Sequence, residues 1–183
     1  MLLAAAGCVS APGQSSASLP AGEEYTDGQY TNRDIGFRIT LPGSWLMYET
    51  EAKMPADALQ YARVLRASGA EMIFVAQSPG RDAFMRGIAE PANLEPADYF
   101  QRIELANRRE LLTSRHELIQ MGGETGVRWI YDSQAGQIRL TFLEYQFRRG
   151  RSNVRVSFWT HSDRFASQEK EFEAVMKSYS AGD

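Results

Sequence analysis

Histidine, serine and carboxylate side chains build most catalytic and metal sites, and this chain offers few of them in useful patterns. Its two histidines are His116 and His161, and neither lies in a His-x-x-x-His spacing typical of a metal site. The triplet His161-Ser162-Asp163 contains the residue types of a hydrolase triad. Triad members come from separate elements of a fold, because adjacent residues cannot align as nucleophile, base and orienting acid. The sequence therefore predicts no catalytic residue, no metal site and no cofactor.

Length and composition limit the class of protein. The chain has 183 residues, of which 43% are hydrophobic and 11% aromatic, enough for one packed domain of about 150 residues with a short appendage. The formal net charge is -3, so no global positive charge exists to hold a polyanion. We therefore expect no nucleic-acid partner. The chain contains no run of about 18 apolar residues, the length that would predict a membrane-spanning helix.

The one cysteine, Cys8, excludes an intrachain disulfide. It follows an apolar stretch that ends in small residues, and it precedes a stretch rich in Ser, Gly and Pro. The sequence Ala5-Ala6-Gly7-Cys8 resembles a bacterial lipobox, in which small residues lead to a cysteine that receives diacylglycerol. The alternative is an incidental cysteine in a frayed apolar terminus. We expect residues 1–7 to be a signal-peptide remnant, residues 8–24 a lipid anchor with a disordered tether, and residues 25–183 the folded domain.

The residue after Cys8 bears on the compartment. It is Val9, not Asp, which in a bacterium with two membranes favours sorting to the outer membrane. Lipidation at Cys8 would attach the protein to a membrane leaflet through its acyl chains. We expect a lipid-anchored protein of the cell envelope, on the inner leaflet of the outer membrane and facing the periplasm.

The first half of the chain predicts short strands. Period-two alternation and turn residues indicate strands over 28–32, 37–41 and 45–49. We expect a helical turn over 55–59, then a hairpin with strands 63–67 and 71–77. Residues 78–95 contain Pro79, Gly80, Gly87 and Pro91 with little periodicity, and we interpret them as a long loop.

The second half predicts a helix, a meander and a closing helix. Pro96 is placed to begin a helix over 96–112. Strands are expected over 116–121, 126–132, 137–147 and 153–161, and their tight connections predict an antiparallel meander. In the last strand, Val154, Val156 and Phe158 should face one side and Arg155, Ser157 and Trp159 the other. Asp163 is placed to cap a final helix, whose apolar side would contain Phe165, Phe172, Val175, Met176 and Tyr179.

The order of these elements and the opening motif resemble the PsbP-like superfamily. The motif consists of Tyr30-Thr31-Asn32, Gly36-Phe37, Ile39, Leu41-Pro42 and Trp45, and the closing helix ends in Lys177-Ser178-Tyr179. The resemblance implies an α+β fold, an α/β/α sandwich around a central antiparallel sheet with a closing C-terminal helix. The superfamily includes photosystem II PsbP and DcrB-like envelope lipoproteins, and it consists mostly of accessory or assembly factors that bind a protein. A fold alone does not define an activity.

Two segments are candidate partner surfaces. One is a basic hairpin tip, Arg148, Arg149 and Arg151, which could meet anionic lipid head groups or an acidic partner. Its alternative is a solvated turn. The other is the predicted long loop, whose Arg81, Phe84, Met85 and Arg86 suit a protein interface. The alternative interpretation is that the apolar residues of this loop fold back over the sheet and do not contact a partner.

Together these features predict a non-catalytic envelope lipoprotein that acts as a protein-binding accessory or assembly factor. The alternative is a periplasmic carrier of a small apolar ligand such as a lipid or quinone, which would use the aromatic residues of the meander. An enzyme is a third hypothesis, and it would have to use His161, Glu144 or Asp132.

Overall fold

A computed structural model describes residues 23–48 and 53–181. Cys8 and the predicted tether, 8–24, therefore lie outside the described residues except for Glu23 and Glu24. In the described part, two antiparallel sheets and three helices form the α+β fold that the sequence predicts.

Eleven strands and three helices follow one another along the described residues. The strands are β1 (Glu23–Thr26), β2 (Gln29–Asn32), β3 (Phe37–Thr40), β4 (Leu46–Tyr48), β5 (Glu71–Gln77), β6 (Ala83–Glu90), β7 (Leu111–Met121), β8 (Glu124–Ala135), β9 (Ile138–Arg149), β10 (Ser152–His161) and β11 (Ser180–Ala181). The helices are α1 (Ala56–Ala67), α2 (Pro96–Asn107) and α3 (Phe165–Lys177).

The seven-stranded sheet has the order β4-β5-β6-β10-β9-β8-β7, and the smaller sheet has the order β1-β2-β3-β11. Strands β7 to β10 form the predicted antiparallel meander, extended by β6 pairing with β10. One face of the large sheet packs against α3 and the small sheet. The other face, called the outer face below, carries α1 over β5 and β6 and α2 over β8 and β9.

The core between the large sheet and α3 is built from alternate residues of the strands. Val154, Val156 and Phe158 of β10 point into it and are fully buried, whereas their neighbours point to the outer face, as predicted. Phe172 of α3 stacks on Phe158, with ring centroids 5.1 Å apart, and meets the edge of Trp45 at 6.4 Å. The meander's aromatic residues on this side thus fill a core and stabilise the sandwich.

The small sheet is joined to this body by side chains from distant parts of the chain. Arg149 of β9 donates to the carbonyl oxygens of Ile35 and Gly36 in the turn between β2 and β3, and it pairs with Glu124. Ser178, just after α3, accepts from the Thr40 amide at 2.8 Å. These bonds fix the small sheet against the end of the meander.

Four predictions about the elements are wrong. Residues 63–67 belong to α1, which is a full helix and not a turn followed by a strand. Residues 83–90, within the predicted long loop, form β6. Helix α2 ends at Asn107, five residues early, because the chain turns and enters β7 at Leu111. Asp163 does not cap α3, since the N-cap residue is Arg164 and it makes no side-chain capping hydrogen bond.

Candidate functional site

The outer face contains a block of polar side chains in the middle of the sheet. The register of β6, β10 and β9 places Arg86, Ser157 and Glu144 side by side in one row. The next row contains Ile88, Arg155 and Gln146. We call Arg86, Glu144, Gln146, Arg155 and Ser157 the polar cluster. Glu144, Gln146 and Ser157 are fully buried, Arg155 is 8% exposed and Arg86 is partly exposed, so the polar cluster lies inside the protein except at Arg86.

The carboxylate of Glu144 is held by neutral donors. Gln146 Nε2 donates to Oε1 at 2.7 Å, and Ser157 Oγ donates to Oε2 at 2.7 Å. The nearest guanidinium nitrogen, Arg155 Nη1, is 4.0 Å from Oε2, which is beyond hydrogen-bond distance. Glu144 therefore compensates the charge of Arg155 through space and does not bond to it.

The two arginines of the cluster have incomplete hydrogen bonding. Arg86 lies between aromatic rings, with its Cζ 4.6 Å from the centroid of Tyr61 and 5.1 Å from that of Trp159. Its Nε, like the Nε of Arg155, is buried and has no hydrogen-bond partner among the described residues. Gln146 Oε1 is a buried acceptor that also has no hydrogen-bond partner among the described residues. Such atoms are rare in native interiors and call for an explanation.

The environment keeps Arg155 charged. Burial acts to lower the pKa of Arg155. Glu144 and the phenols of Tyr99 and Tyr61 raise it by more than burial lowers it, so the pKa lies above its ordinary value. Burial also raises the pKa of Tyr131, and the nearby charge of Glu144 raises it more. Tyr99 and Tyr131, whose pKa values are raised by burial, are therefore neutral at physiological pH, and they do not balance the second guanidinium.

A row of aromatic rings runs beside the polar cluster across the outer face. Phe84 stacks on Trp159 at 5.5 Å, Trp159 faces Phe142 at 6.0 Å, and Phe142 stacks on Tyr131 at 4.8 Å. Phe84 and Trp159, at the β6 end, are partly exposed, whereas Phe142 and Tyr131 are buried near α2. The partly exposed end of this row adjoins Arg86.

A second feature lies at the edge of the sheet, on β7. Residues 112–118 are exposed in an unbroken run, and β7 pairs with β8 on one side only within the described chain. Leu112 and Leu118 of β7 are 50% and 65% exposed, and Leu105 of the neighbouring helix α2 is 70% exposed. A groove of about 630 Å³ separates α2 from the start of β7, and Leu105 and Leu112 are among its lining residues.

The predicted surface residues of segment 78–95 do not share one environment. Met85 is fully buried in the core on the α3 side, so the prediction that it lies on a surface is wrong. Phe84 and Arg86 lie on the outer face, at the partly exposed end of the aromatic row. Arg81 is exposed in the tight turn before β6, with a positive φ of 54°. The segment is thus part of the sheet and not a loop or a lid.

The predicted basic hairpin tip is also divided. Arg148 is exposed and pairs with Glu95, and Arg151 is exposed in the turn. Arg149 is mostly buried, and its guanidinium is engaged by Glu124 and by the β2–β3 turn. The three arginines are therefore not one surface patch, and Arg149 has a structural role.

The other residues considered for catalysis lie in different environments. His116 packs on Phe100, with ring centroids 4.1 Å apart, and His161 lies exposed at the end of β10. The carboxylate of Asp132 accepts from Thr141 at 2.6 Å and from Arg139 at 2.6 Å; although burial acts to raise its pKa, these bonds hold it below the ordinary value. Across residues 23–48 and 53–181, no three His, Cys, Asp or Glu residues group as metal ligands would.

In the same ranges, no helix has the length and apolar character needed to cross a membrane. No family model and no curated protein matches the sequence.

Solved structures match the fold. The chain is similar to cyanobacterial PsbP (CyanoP) from Synechocystis, with a TM-score of 0.57 and 14% identity over 92% of this chain and 98% of that chain. A protein from Bacteroides thetaiotaomicron gives a TM-score of 0.49 and 17% identity, over 81% of this chain and 46% of that one. LpqN, involved in cell envelope biogenesis of Mycobacterium tuberculosis, gives 0.45 and 11%, over 80% and 83%. The predicted PsbP-like fold is confirmed.

Proposed function

We propose that the protein is a non-catalytic accessory factor of the cell envelope that is lipid-anchored at Cys8 and binds an extended segment of a partner protein along β7. The observation that carries this proposal is the long, exposed outer edge of β7. The PsbP-like superfamily, which the sequence resembles, consists mostly of accessory proteins, and this supports a binding role over a catalytic one.

The backbone of β7 offers the means of binding. An edge strand presents N–H and C=O groups that another chain can pair with, and extended peptides bind many domains by adding a strand in this way. Strand β7 has 11 residues, far more than the three of β4 at the opposite edge. It therefore offers the longer template for an added strand.

The side chains around β7 indicate the chemistry of the partner. Leu105, Leu112 and Leu118 are large apolar residues exposed to solvent, and they lie on β7 or on the helix beside it. Leu105 and Leu112 line the same groove, and exposed apolar side chains that lie together mark interaction sites. The charged residues Arg115 and Glu117 lie within the exposed part of β7, and charges on an edge strand limit indiscriminate edge-to-edge pairing. We infer a partner segment with apolar side chains at alternate positions.

The anchor is tested separately from the edge. Cys8→Ala removes the thiol that would carry the lipid. We expect the natural protein to fractionate with membranes and to show added acyl mass, and the variant to lose both. Equal fractionation of the two proteins, with no added mass on Cys8, would refute the anchor and leave the β7 proposal standing.

The docking edge is tested by photocrosslinking in cells of the source organism. A photoreactive residue is introduced at Leu118, and the matched control carries it at Val64 of α1, which is 62% exposed. We expect one adduct with a defined envelope protein at position 118 and none at position 64. Adding Leu112→Asp should abolish that adduct, because a charge beside the groove opposes an apolar segment.

Two outcomes contradict the docking proposal. One is an adduct with the mass of two copies of this chain, which would make β7 a self-association edge. The other is equal crosslinking at positions 118 and 64, which would show only general exposure. Urea unfolding of Leu112→Asp controls for loss of the fold, and since Leu112 is half exposed we expect a change within about 0.5 kcal/mol.

A further inference from the structure

We propose that the polar cluster is a binding site for a small organic oxyanion, a carboxylate or phosphate with a hydroxyl group next to the charge. The proposal goes beyond the docking of a protein at β7, and it depends on different residues and different strands. Its basis is the composition of the cluster, the unpartnered atoms within it and its position between α1 and α2.

The charges of the polar cluster do not balance. It contains two guanidinium groups, those of Arg86 and Arg155, and one carboxylate. In the part of the chain that the structure describes, Glu144 is the carboxylate that comes within 4.0 Å of either guanidinium. Its oxygens already accept from Gln146 and Ser157. The cluster therefore has one more positive charge than negative, shared between the buried Arg155 and the partly exposed Arg86, and a bound anion would neutralise it.

The nearest additional acid is committed to other groups. Glu90 of β6 accepts from Tyr99 Oη at 2.8 Å and pairs with Arg102 of α2 at 2.5 Å. It therefore does not supply the missing negative charge to Arg86. An anion from solution would supply the compensating charge.

The unpartnered atoms define what such a ligand must present. Arg86 Nε and Arg155 Nε are donors, and they need an acceptor. The guanidinium fork fits carboxylate and phosphate oxygens, which makes an oxyanion the natural acceptor. Gln146 Oε1 is an acceptor, and it needs a donor such as a hydroxyl. Arg155 and Gln146 are cross-strand neighbours, so one small molecule can meet both.

Two aromatic side chains lie beside Arg86, the outermost residue of the cluster. Tyr61 of α1 and Trp159 of β10 enclose the Arg86 guanidinium, and both are partly exposed. Arg155 lies deeper, at 8% exposure. A ligand approaching beside Trp159 would meet Arg86 first and Arg155 next. Aromatic walls next to arginines suit an anion that carries a short organic part.

Binding is measured on the full chain by following the Nε–H signals of Arg86 and Arg155 in nitrogen-15 NMR. The probes are glycerol 3-phosphate and glycerate, which have a hydroxyl beside the anion, and inorganic phosphate and acetate, which lack an organic hydroxyl. Vesicles of phosphatidylglycerol and of phosphatidylcholine distinguish a lipid head group from a free solute. We expect saturable shifts of both signals with a hydroxyl-bearing anion or with phosphatidylglycerol vesicles, and no shift with phosphatidylcholine.

Variants make the assignment specific. Arg86→Gln keeps a partly exposed polar side chain and should weaken binding about tenfold or more, because a charged hydrogen bond is lost. Gln146→Leu should weaken the hydroxyl-bearing probes and leave inorganic phosphate unchanged. Arg148→Gln, at an exposed arginine outside the cluster, should change nothing.

The proposal is overturned if no probe moves the Arg86 and Arg155 signals at any soluble concentration. It is also overturned if Arg148→Gln weakens binding as much as Arg86→Gln does, since that result indicates general attraction of anions to surface charge. Neither result bears on crosslinking at β7, so the two proposals can fail independently.

Discussion

The substitution Glu144→Gln tests whether the buried carboxylate balances the arginines around it. Glu144 is fully buried, and its oxygens accept from Ser157 and Gln146 at 2.7 Å each. An amide of the same shape can accept only one of these bonds, and a lost hydrogen bond to a charged group costs about 1.5–3 kcal/mol. The variant would also leave the Arg155 guanidinium without its nearby negative charge.

The structure supplies the size of that second effect. At the 4.0 Å separation of Arg155 Nη1 and Glu144 Oε2, two unit charges in an effective dielectric of about 20 attract by about 4 kcal/mol. Desolvation offsets much of this attraction, because both groups are taken out of water. We therefore expect Glu144→Gln to lower the free energy of unfolding by about 3 kcal/mol, within the usual range for breaking a buried pair.

The assay is urea unfolding of a double-mutant cycle. It compares Glu144→Gln, Arg155→Met and the double variant, and the coupling energy should be about 2 kcal/mol. In thermal unfolding, about 3 kcal/mol corresponds to a loss of about 6–12 °C for a domain of this size. Glu117→Gln is the matched control at an exposed glutamate, and we expect a change within about 0.5 kcal/mol.

The result that would refute this reasoning is a coupling energy near zero. In that case Glu144 does not balance Arg155 in the folded protein, and the excess positive charge of the cluster would have to be neutralised in another way. The same variant gives a second measurement, because removing the carboxylate raises the net charge of the cluster. We expect Glu144→Gln to bind the oxyanion probes more tightly if it remains folded.

Two further predictions concern the scaffold. A Cβ at Gly87 would lie 2.4 Å from Cε1 of Phe74, so Gly87→Ala should destabilise the fold by about 1–3 kcal/mol in urea unfolding. Gly43→Ala, where a Cβ meets nothing within 4 Å, should be close to neutral, and equal losses at both positions would refute the steric argument. Burial raises the pKa of Glu23 from 4.5 to about 7, with repulsion from Glu71 adding to it. The folded state then binds the proton more tightly than the unfolded state, so the contribution of Glu23 to stability should be complete below pH 4.5 and be lost as the pH rises through about 7. Glu23→Gln should remove this dependence, and an unchanged slope in urea midpoints would exclude Glu23 as its source.

The meander was predictable because each of its strands has one face against a core. In β10, Val154, Val156 and Phe158 alternate with Arg155 and Ser157, and this period of two survives in the structure. The glycine-containing turns between these strands need positive φ, as Gly136 at 64° and Gly150 at 55° illustrate. Local pattern and tertiary environment agree here, and the prediction is correct.

Helix α1 and strand β6 were not predictable in the same way. Helix α1 has few large apolar residues, and it covers the sheet with Ala62, Leu65 and partly buried neighbours, so its helical period is weak. Strand β6 lies in the middle of the sheet with both faces covered, and it contains Gly87 and Arg86, which are typical of loops. Gly87 is required by the close approach of Phe74, a contact that no local pattern reveals.

The polar cluster could be predicted only in part. The alternation in β10 correctly places Arg155 and Ser157 on the face opposite the α3 core. Glu144 lies on β9, the hairpin partner of β10, whereas Arg86 lies on β6, which is distant in sequence, and the pairing of β6 with β10 brings it into the row. A charged residue within a predicted strand, such as Glu144 in 137–147, was the available signal. Its meaning depends on strand pairing that a single sequence does not specify.

The two faces of the large sheet differ in how they follow the rules of protein packing. On the α3 side, a large core of apolar and aromatic residues agrees with the fold. On the outer face, the chain places Arg155 and Glu144 in the interior, where apolar residues of similar size would cost less. Natural sequences depart from local rules mainly at functional sites. The buried pair Arg155 and Glu144 lies on the strands between α1 and α2, and the proposed anion site gives this departure a function.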